Sequence, residues 1–176
     1  AFSEGLVTIF ATQEDLAPSE SPCSTVSLIY DVDLTPPLAA TSLSLASNYA
    51  PNASTAPLFS WIQSVSSDVS LHEVALGTTL GGEEVVAFET PDTSTTHTFS
   101  TLTLSECSGG LPVYYPSVRV TDWAGNITIS THPTGFRYDT TSPNPSGAPV
   151  AAGDAASDRA STVTWTAASD NCAIGS

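Results

Sequence analysis

Three short phrases of this 176-residue chain occur twice, and the second copy always follows the first by about 105 residues. The matched pairs are "DLTPPLAA" at Asp33 with "DTTSPNPSGA" at Asp139, "EDLAPS" at Asp15 with "TDWAGN" at Asp122, and "FSWIQSVSSD" around Trp61 with "VTWTAASDN" around Trp165. Their separations are 106, 107 and 104 residues, so three independent matches give one period. A repeat of domain length constrains the fold strongly, because each copy must form the same structural unit.

This period divides the chain into one whole unit and two partial ones. It predicts the C-terminal strands of a preceding module at 1–35, a complete module at 38–140, and the N-terminal strands of a following module at 147–176. A piece of about 30 residues with one or two strands cannot bury a sandwich core. We therefore expect both end pieces to be poorly packed unless further chain completes them.

The whole unit contains seven runs with strand-like alternation or β-branched residues. They are Ser42–Ala46, Leu58–Ile62, Leu71–Leu76, Glu84–Phe88, Thr98–Leu104, Val113–Thr121 and Ile127–Tyr138. Turn formers separate them, as in "GTTLGG" (Gly77–Gly82) and "CSGGLP" (Cys107–Pro112). This spacing predicts an all-β fold, a seven-stranded antiparallel β-sandwich repeated in tandem, with essentially no helix.

The stretch "SVRVTDWAGN" (Ser117–Asn126) shows how one of these strands ends. Its residues alternate between apolar and polar up to Thr121 and then become turn formers. We expect Gly125 and Asn126 to supply left-handed backbone conformations, and Asp122 to accept hydrogen bonds from the turn amides. The stretch therefore predicts the corner between the last two strands of a sandwich.

Four features together resemble the fibronectin type III and related immunoglobulin-like modules of bacterial cell-surface and secreted proteins. They are Trp61, "HEVALGTTLGGEEVVAF" (His72–Phe88), "YYPSVRVTDWAGN" (Tyr114–Asn126) and the linker "YDTTSP" (Tyr138–Pro143). The resemblance covers the whole central unit, and both end pieces fit it. It implies a sandwich used as a spacer or display unit in adhesins, stalks and fibres, or as an accessory module of a secreted polysaccharide-degrading enzyme.

The net charge of −15 excludes two classes of partner. Arg119, Arg137 and Arg159 are the only basic residues apart from three histidines, so no basic patch can neutralise phosphates. Nucleic acid and anionic membrane surfaces would be repelled. No apolar run of about 18 residues occurs, and no charged segment precedes an apolar stretch, so we expect neither membrane insertion nor an intact signal peptide within this sequence.

The cysteines favour an extracellular or cell-surface location. Cys23, Cys107 and Cys172 lie far apart in turn-like contexts, unlike the close pairs of zinc and redox motifs. Disulfide formation is the expected role, and the odd number leaves at least one cysteine without a partner in this chain. The sequence leaves the pairing open.

The sequence offers no catalytic centre, and we expect no enzyme activity and no cofactor. His72, His97 and His132 lie on separate predicted strands or loops, without a close ligand pair or a Ser/Asp constellation, and are expected to be ordinary surface or half-buried residues. Glu83 and Glu84 are adjacent on a strand, so their side chains point to opposite faces and cannot act on one substrate.

Calcium is the alternative to this metal-free prediction. Acidic residues recur near the expected module ends, at Asp15, Asp31, Asp33, Asp122, Asp139 and Asp154. Carboxylates and backbone carbonyls are the ligands that Ca²⁺ prefers, but no dense Asp spacing of the EF-hand kind occurs. Solvated turn and linker acids are the default interpretation.

Most aromatic residues are predicted to lie in the core. Phe59, Trp61, Phe88, Phe99 and Tyr114 occupy strand runs. Trp123 is the exception, because it lies in the corner turn, and it is the candidate residue for contact with a ligand.

Three functions follow from this reading. The first is a non-enzymatic structural or adhesive segment of an extracellular bacterial fibre, stalk or adhesin, whose partners are other modules or neighbouring chains and a host-surface protein or glycan. The second is an accessory carbohydrate-binding or spacer region of a secreted hydrolase. The third is a filament subunit whose partial modules are completed by neighbouring chains. The proline-containing linkers favour extended conformations and therefore modules held end to end.

Overall fold

A computed structural model describes residues 3–14, 16, 19–144, 150–152, 162–164 and 169–172, and these residues contain strands and no helix. The strands are β1 (Gly5–Ile9), β2 (Leu28–Val32), β3 (Thr41–Leu45), β4 (Phe59–Ile62), β5 (Val69–Gly77), β6 (Val86–Glu89), β7 (Thr96–His97), β8 (Tyr115–Asp122), β9 (Ile127–Thr131), β10 (Val150–Ala152) and β11 (Thr162–Thr164). The predicted all-β class is confirmed.

Two antiparallel sheets form the central region. One has the strand order β3-β4-β7, and the other has the order β6-β5-β8-β9. The longest pairing joins β5 to β8, with Val74 opposite Val118 and His72 opposite Val120. This arrangement is that of a β-sandwich, in which each sheet covers the apolar face of the other.

The core lies between these two sheets. Phe59 and Trp61 are two residues apart on β4, so both side chains reach the same face, and both are buried. Val74 and Leu76 on β5 meet them from the other sheet, together with Val118 on β8. Burying each large apolar side chain contributes about 2 to 3 kcal/mol.

Four of the five aromatic residues predicted in the core are buried, and Phe88 is partly exposed. The buried four are Phe59, Trp61, Phe99 and Tyr114. Phe88 on β6 instead lies under Arg119, whose guanidinium carbon is 4.1 Å from the ring centre. This cation–π contact joins β6 to β8 across the intervening strand β5.

The run Thr98–Leu104 was expected to be a strand, and this prediction is wrong. The ladder of β7 covers only Thr96–His97, and the backbone of Thr101 has a φ of 59° that ends regular extension. Its amides bond to a facing loop instead, with Leu102 donating to the carbonyl of Ser54 and Leu104 to that of Ala53. The alternating pattern correctly predicted that the side chains of Leu102 and Leu104 are buried. Their backbone amides, however, bond to a loop and not to a neighbouring strand.

The run Ile127–Tyr138 is also broken, because β9 ends at Thr131. The amide of Gly135 donates to Nδ1 of His132 at 3.1 Å, which closes a tight turn. Gly135 has a φ of 59°, and a side-chain carbon there would collide with the backbone of Tyr114. Beyond the turn the chain pairs again, with Phe136 opposite Tyr114.

Two short hairpins flank the central region. β1 pairs antiparallel with β2, and β10 pairs antiparallel with β11. The first hairpin leaves Leu6, Leu28 and Ile29 exposed to solvent. Trp165, whose surroundings were expected to match those of Trp61, lies outside the described residues.

Candidate functional site

The turn after β8 holds the side chain of Trp123 in solvent. Asp122 accepts hydrogen bonds from the amide of Asn126 at 2.8 Å and from its side-chain nitrogen at 2.9 Å. Gly125 has a φ of 91°, whereas Asn126 does not lie in the left-handed region, so only one of the two expected residues is left-handed. The amide of Trp123 donates to the carbonyl of Asp68, and the residue is 79% exposed.

A second segment faces this turn across a cleft of about 570 Å³. The segment covers Tyr30 to Leu34, at the end of β2 and the start of the linker. It is tied to the turn by the side chain of Asn126, which donates to the carbonyl of Asp33 at 3.2 Å. Tyr30 is 57% exposed, so two aromatic side chains border one opening. We call this opening the Trp123 cleft.

Three carboxylates lie together beside the cleft. One oxygen each from Asp33, Asp68 and Asp122 lies within 4.8 Å of the others. Burial alone would raise the pKa of Asp122, but hydrogen bonds from Asn126 and from the turn amides offset it, and the pKa lies below its ordinary value. Asp122 is therefore a buried, charged turn residue and not a solvated acid.

Among the described residues, the arginines are engaged elsewhere. Arg119 donates to Glu73 at 2.7 to 2.9 Å and covers Phe88. Arg137 donates to the carbonyl of Gly110 at 2.9 Å. The negative charge beside the Trp123 cleft has no basic side chain bonded to it in this part of the chain.

The predicted acidic residues lie near two linkers. We call the linker between β2 and β3 (33–40) the first junction, and the linker that follows Tyr138 (139–144) the second junction. Asp33 and Asp122 meet at the first junction, and Asp31 lines the cleft beside them. Asp139 lies at the second junction, and Asp15 and Asp154 lie outside the described residues. Asp33, Asp68 and Asp122 are the residues that would hold an ion here, and carboxylate oxygens are ligands that Ca²⁺ prefers. Calcium binding stays the alternative to the metal-free prediction.

The second junction is closed by a disulfide between Cys107 and Cys172, both fully buried. The side chain of Asn171 donates to the carbonyl of Cys107 at 2.8 Å, and the amide of Gly109 donates to the carbonyl of Asn171 at the same distance. Asp139 lies beside the two sulfurs, but bonded sulfurs are not free thiolate ligands. Cys23 is exposed and unpaired.

Glu106 fastens the linker at this junction. Its carboxylate accepts hydrogen bonds from the amides and hydroxyls of Thr140 and Thr141, at 2.7 to 3.0 Å. These bonds lower the pKa of Glu106 to about 2. The pKa of Asp139 is raised, first by burial and then by the nearby charges of Asp170 and Glu106.

One of the three histidines departs from the expected ordinary setting. His97 is buried, with Nε2 at 3.1 Å from Glu89 and Nδ1 at 3.3 Å from Asp92. The sequence predicted no acid around it, because one carboxylate comes from Glu89 at the end of β6 and the other from Asp92 in the loop that follows. His72 and His132 are half-buried as expected, and burial lowers the pKa of each.

Glu83 and Glu84 bind the loop that holds them. Glu84 accepts bonds from the amide of Thr78 at 3.0 Å and the hydroxyl of Thr79 at 2.6 Å. Glu83 accepts one from the amide of Phe88 at 3.4 Å. Both residues precede β6, so the prediction that they lie on a strand is wrong, and their carboxylates bond to separate positions of the loop.

The predicted exposure of Trp123 is confirmed, its contact with a ligand stays a prediction, and two residues near it were not predicted. Tyr30 carried no signal of its own, because it reads as one more aromatic residue of a strand. Asp68 carried only a weak one: it ends the phrase "FSWIQSVSSD" seven residues after Trp61, whereas Asp170 comes five residues after Trp165 in the matching phrase. An acid follows the tryptophan of both phrases but at different spacings, so the repeat did not point to a carboxylate group.

No protein-family model, no curated protein and no solved structure matches the chain. Within the part that the structure describes, no helix has the length and apolar character needed to cross a membrane.

Proposed function

We propose that the chain is a non-enzymatic structural and adhesive segment of an extracellular bacterial fibre, stalk or adhesin. Its residues would form parts of three tandem modules of seven-stranded, fibronectin III-like or immunoglobulin-like design, divided at 1–35, 38–140 and 147–176. Its function would be to give length and to present a surface to other modules, to a host protein or to a glycan.

The main observation in support of this proposal is that two pairs of strands, β3 with β4 and β10 with β11, have matching registers. In the central region Leu45 pairs with Phe59, across β3 and β4. The offsets of the linker phrase and of the tryptophan phrase, 106 and 104 residues, carry these positions to Ala151 and Val163, which pair across β10 and β11. Register is set by the whole hydrophobic pattern of two strands, so this match of both partners supports a repeated module.

The first hairpin agrees with the same period. Val7 pairs with Tyr30 across β1 and β2. The offsets of the turn phrase and the linker phrase, 107 and 106 residues, carry these positions to Tyr114 and Phe136, which also pair. Both flanking hairpins therefore have counterparts in the central region.

Contacts at the junctions support an end-to-end arrangement. At the first junction, hydroxyls of Thr128 and Ser130 donate to the linker carbonyls of Pro37 and Ala40 at 2.7 and 2.9 Å. At the second, Glu106 bonds to the linker at Thr140, and the Cys107–Cys172 disulfide joins the central region to the segment that follows the linker. Disulfides persist in oxidising surroundings, which supports an extracellular location.

The polar clusters support a structural role. His97 bonds two elements through Glu89 and Asp92, Glu84 bonds a tight loop, and Glu106 bonds a linker. In each cluster the polar side chains form hydrogen bonds with backbone or side-chain groups of the same fold. This use of polar residues suits a spacer more than a centre of reaction.

Small-angle X-ray scattering of the full chain tests the arrangement. A single compact domain of 176 residues has a radius of gyration of about 16 Å, and modules held end to end require a clearly larger value together with a rod-like distance distribution. A radius near 16 Å would refute the proposal. Hydrogen exchange on the same sample shows whether an enlarged radius comes from protected hairpins or from unfolded ends.

Two alternatives each have one observation in their favour. The exposed indole of Trp123 favours an accessory carbohydrate-binding region of a secreted hydrolase, and glycan binding abolished by Trp123→Ala would support it. The exposed apolar residues of the first hairpin, such as Leu28 and Ile29, favour a filament subunit completed by neighbouring chains. A monodisperse monomer in light scattering would contradict the filament.

A further inference from the structure

We propose that the Trp123 cleft binds an alkylammonium group, as carried by the lysine side chains of a basic protein partner. The inference rests on the proposed display function, because it names the chemistry of the surface that is displayed. It depends on the cleft alone and not on how the modules are arranged.

Two aromatic faces supply the first half of such a site. Trp123 and Tyr30 border the same opening, and both are more than half exposed. Indole and phenol rings attract cations through the negative potential of their faces, and indole is the strongest of the natural side chains in this respect. The alkyl part of the ligand would lie against the apolar edges of Val32 and Leu34, which also line the cleft.

Carboxylates supply the second half. Asp31 and Asp33 line the cleft, and Asp33 adjoins the carboxylates of Asp68 and Asp122. The sequence contains no lysine, and Arg119 and Arg137 are bonded to other groups. A positive ligand would therefore meet negative charge that no side chain in this part of the chain neutralises, and such a potential attracts cationic partners.

The cleft is formed before any ligand binds. The turn that carries Trp123 is fixed by the bonds between Asp122 and Asn126, and Asn126 also bonds the opposite wall at the carbonyl of Asp33. Both walls are thus joined through one amide side chain. Binding to a preformed opening loses less conformational entropy than binding to a loose one.

Charge favours an ammonium over a neutral sugar here. A pyranose ring could stack on Trp123 and bond to the acids, but it would gain nothing from their net charge. An ammonium gains from the rings and the carboxylates together. The two ligands therefore differ in their response to salt and to neutralisation of Asp33, which gives a direct test.

The test is an NMR titration of the full chain, which follows the indole N–H of Trp123. The probes are choline and its neutral carbon isostere 3,3-dimethyl-1-butanol, followed by a lysine with blocked backbone ends. We expect saturable shifts with choline and blocked lysine but not with the alcohol. Raising NaCl from about 20 to about 300 mM should weaken the binding, because exposed charges are screened within a few ångströms at higher salt.

Variants separate the two contributions. Tyr30→Leu should weaken choline binding at least about fivefold, since it keeps an apolar side chain but removes one ring face. Asp33→Asn should weaken it several-fold, and it keeps an oxygen to accept the amide of Thr35. Glu20→Gln, an exposed acid outside the cleft lining, is the matched control and should change nothing.

Three results would overturn the inference: no shift with choline, equal shifts with choline and the alcohol, or binding that is insensitive to Asp33→Asn. Cellohexaose is the competing probe. If it shifts the Trp123 signal while choline does not, the cleft is a glycan site. None of these outcomes changes the scattering result, so failure here is distinct from failure of the tandem proposal.

Discussion

Cys107 and Cys172 form a bond between the central sheets and the segment that follows them. Their α-carbons are 5.3 Å apart, although 65 positions of sequence separate them. One cysteine precedes β8 and the other follows β11, so the bond fixes two regions that the repeat assigns to different modules.

Replacing both cysteines by serine should loosen this junction. Closing a loop of 65 residues contributes up to about 4 kcal/mol in the chain-entropy model. The amide of Gly109, bonded to the carbonyl of Asn171, should exchange with solvent faster in the double variant, while the amide of Val118 in β8 stays protected. Equal exchange of Gly109 in both proteins would show that hydrogen bonds alone hold the junction. Cys23→Ser is the control, because Cys23 is unpaired.

Acid should release the linker from Glu106. The pKa of this carboxyl is lowered to about 2 by bonds from Thr140 and Thr141, so its contribution is complete above about pH 4.5 and is lost as pH falls toward 2. An NMR titration should show the amide signals of Thr140 and Thr141 moving within that window. In Glu106→Gln the window should vanish, and its persistence would assign the change to another acid.

Gly135→Ala should destabilise the protein more than Gly109→Ala. Both glycines have nearly the same backbone angle, with φ of 59° and 60°, so the strain of a left-handed alanine is matched. A side-chain carbon at position 135 would also lie 2.8 Å from Cγ1 of Val113 and against the Tyr114 carbonyl, whereas position 109 is open. Denaturant unfolding should give an additional loss of about 1 to 3 kcal/mol for Gly135→Ala. Equal losses would mean that the backbone moves freely there.

Stability should fall as pH drops below about 6.5, in part through His132. Burial lowers the pKa of this imidazole in the folded state, so the neutral form is favoured and its contribution is lost as the group becomes charged. Protonation also removes the acceptor for the amide of Gly135. His132→Asn places an oxygen near Nδ1 and should flatten the dependence of the unfolding free energy between pH 7 and 5. An unchanged slope would leave His72 as the source.

Local pattern predicted the fold better than it predicted contacts between distant residues. The alternation around Val118 and Val120 identified β8 and its buried face, and the glycine of "AGN" identified the turn. The run Thr98–Leu104 showed the same alternation, yet its backbone bonds went to the loop at 53–56. Alternating burial of side chains therefore occurs without pairing to a strand. Whether such a run forms a strand or a loop depends on which chain segment lies beside it.

For the Trp123 cleft, the sequence predicted the exposed tryptophan but not the residues that come together around it. A tryptophan within a tight turn has few neighbours to cover it, so the exposure of Trp123 follows from the sequence. Its neighbours Tyr30 and Asp68 come from chain segments far away, and no local signal states that they meet. The pairing of Cys107 with Cys172 is of the same kind, since three cysteines allow three choices.

The disulfide also determines how much of this chain can be drawn out when its ends are pulled. Strands β8 to β11 lie inside the loop between the two cysteines, so a stretching load passes across the sulfurs and bypasses these four strands. About 210 to 230 Å of contour length is thereby withheld until the bond is reduced. Strands β1 to β7 lie outside the loop, so only these strands can unfold under load while the bond is intact.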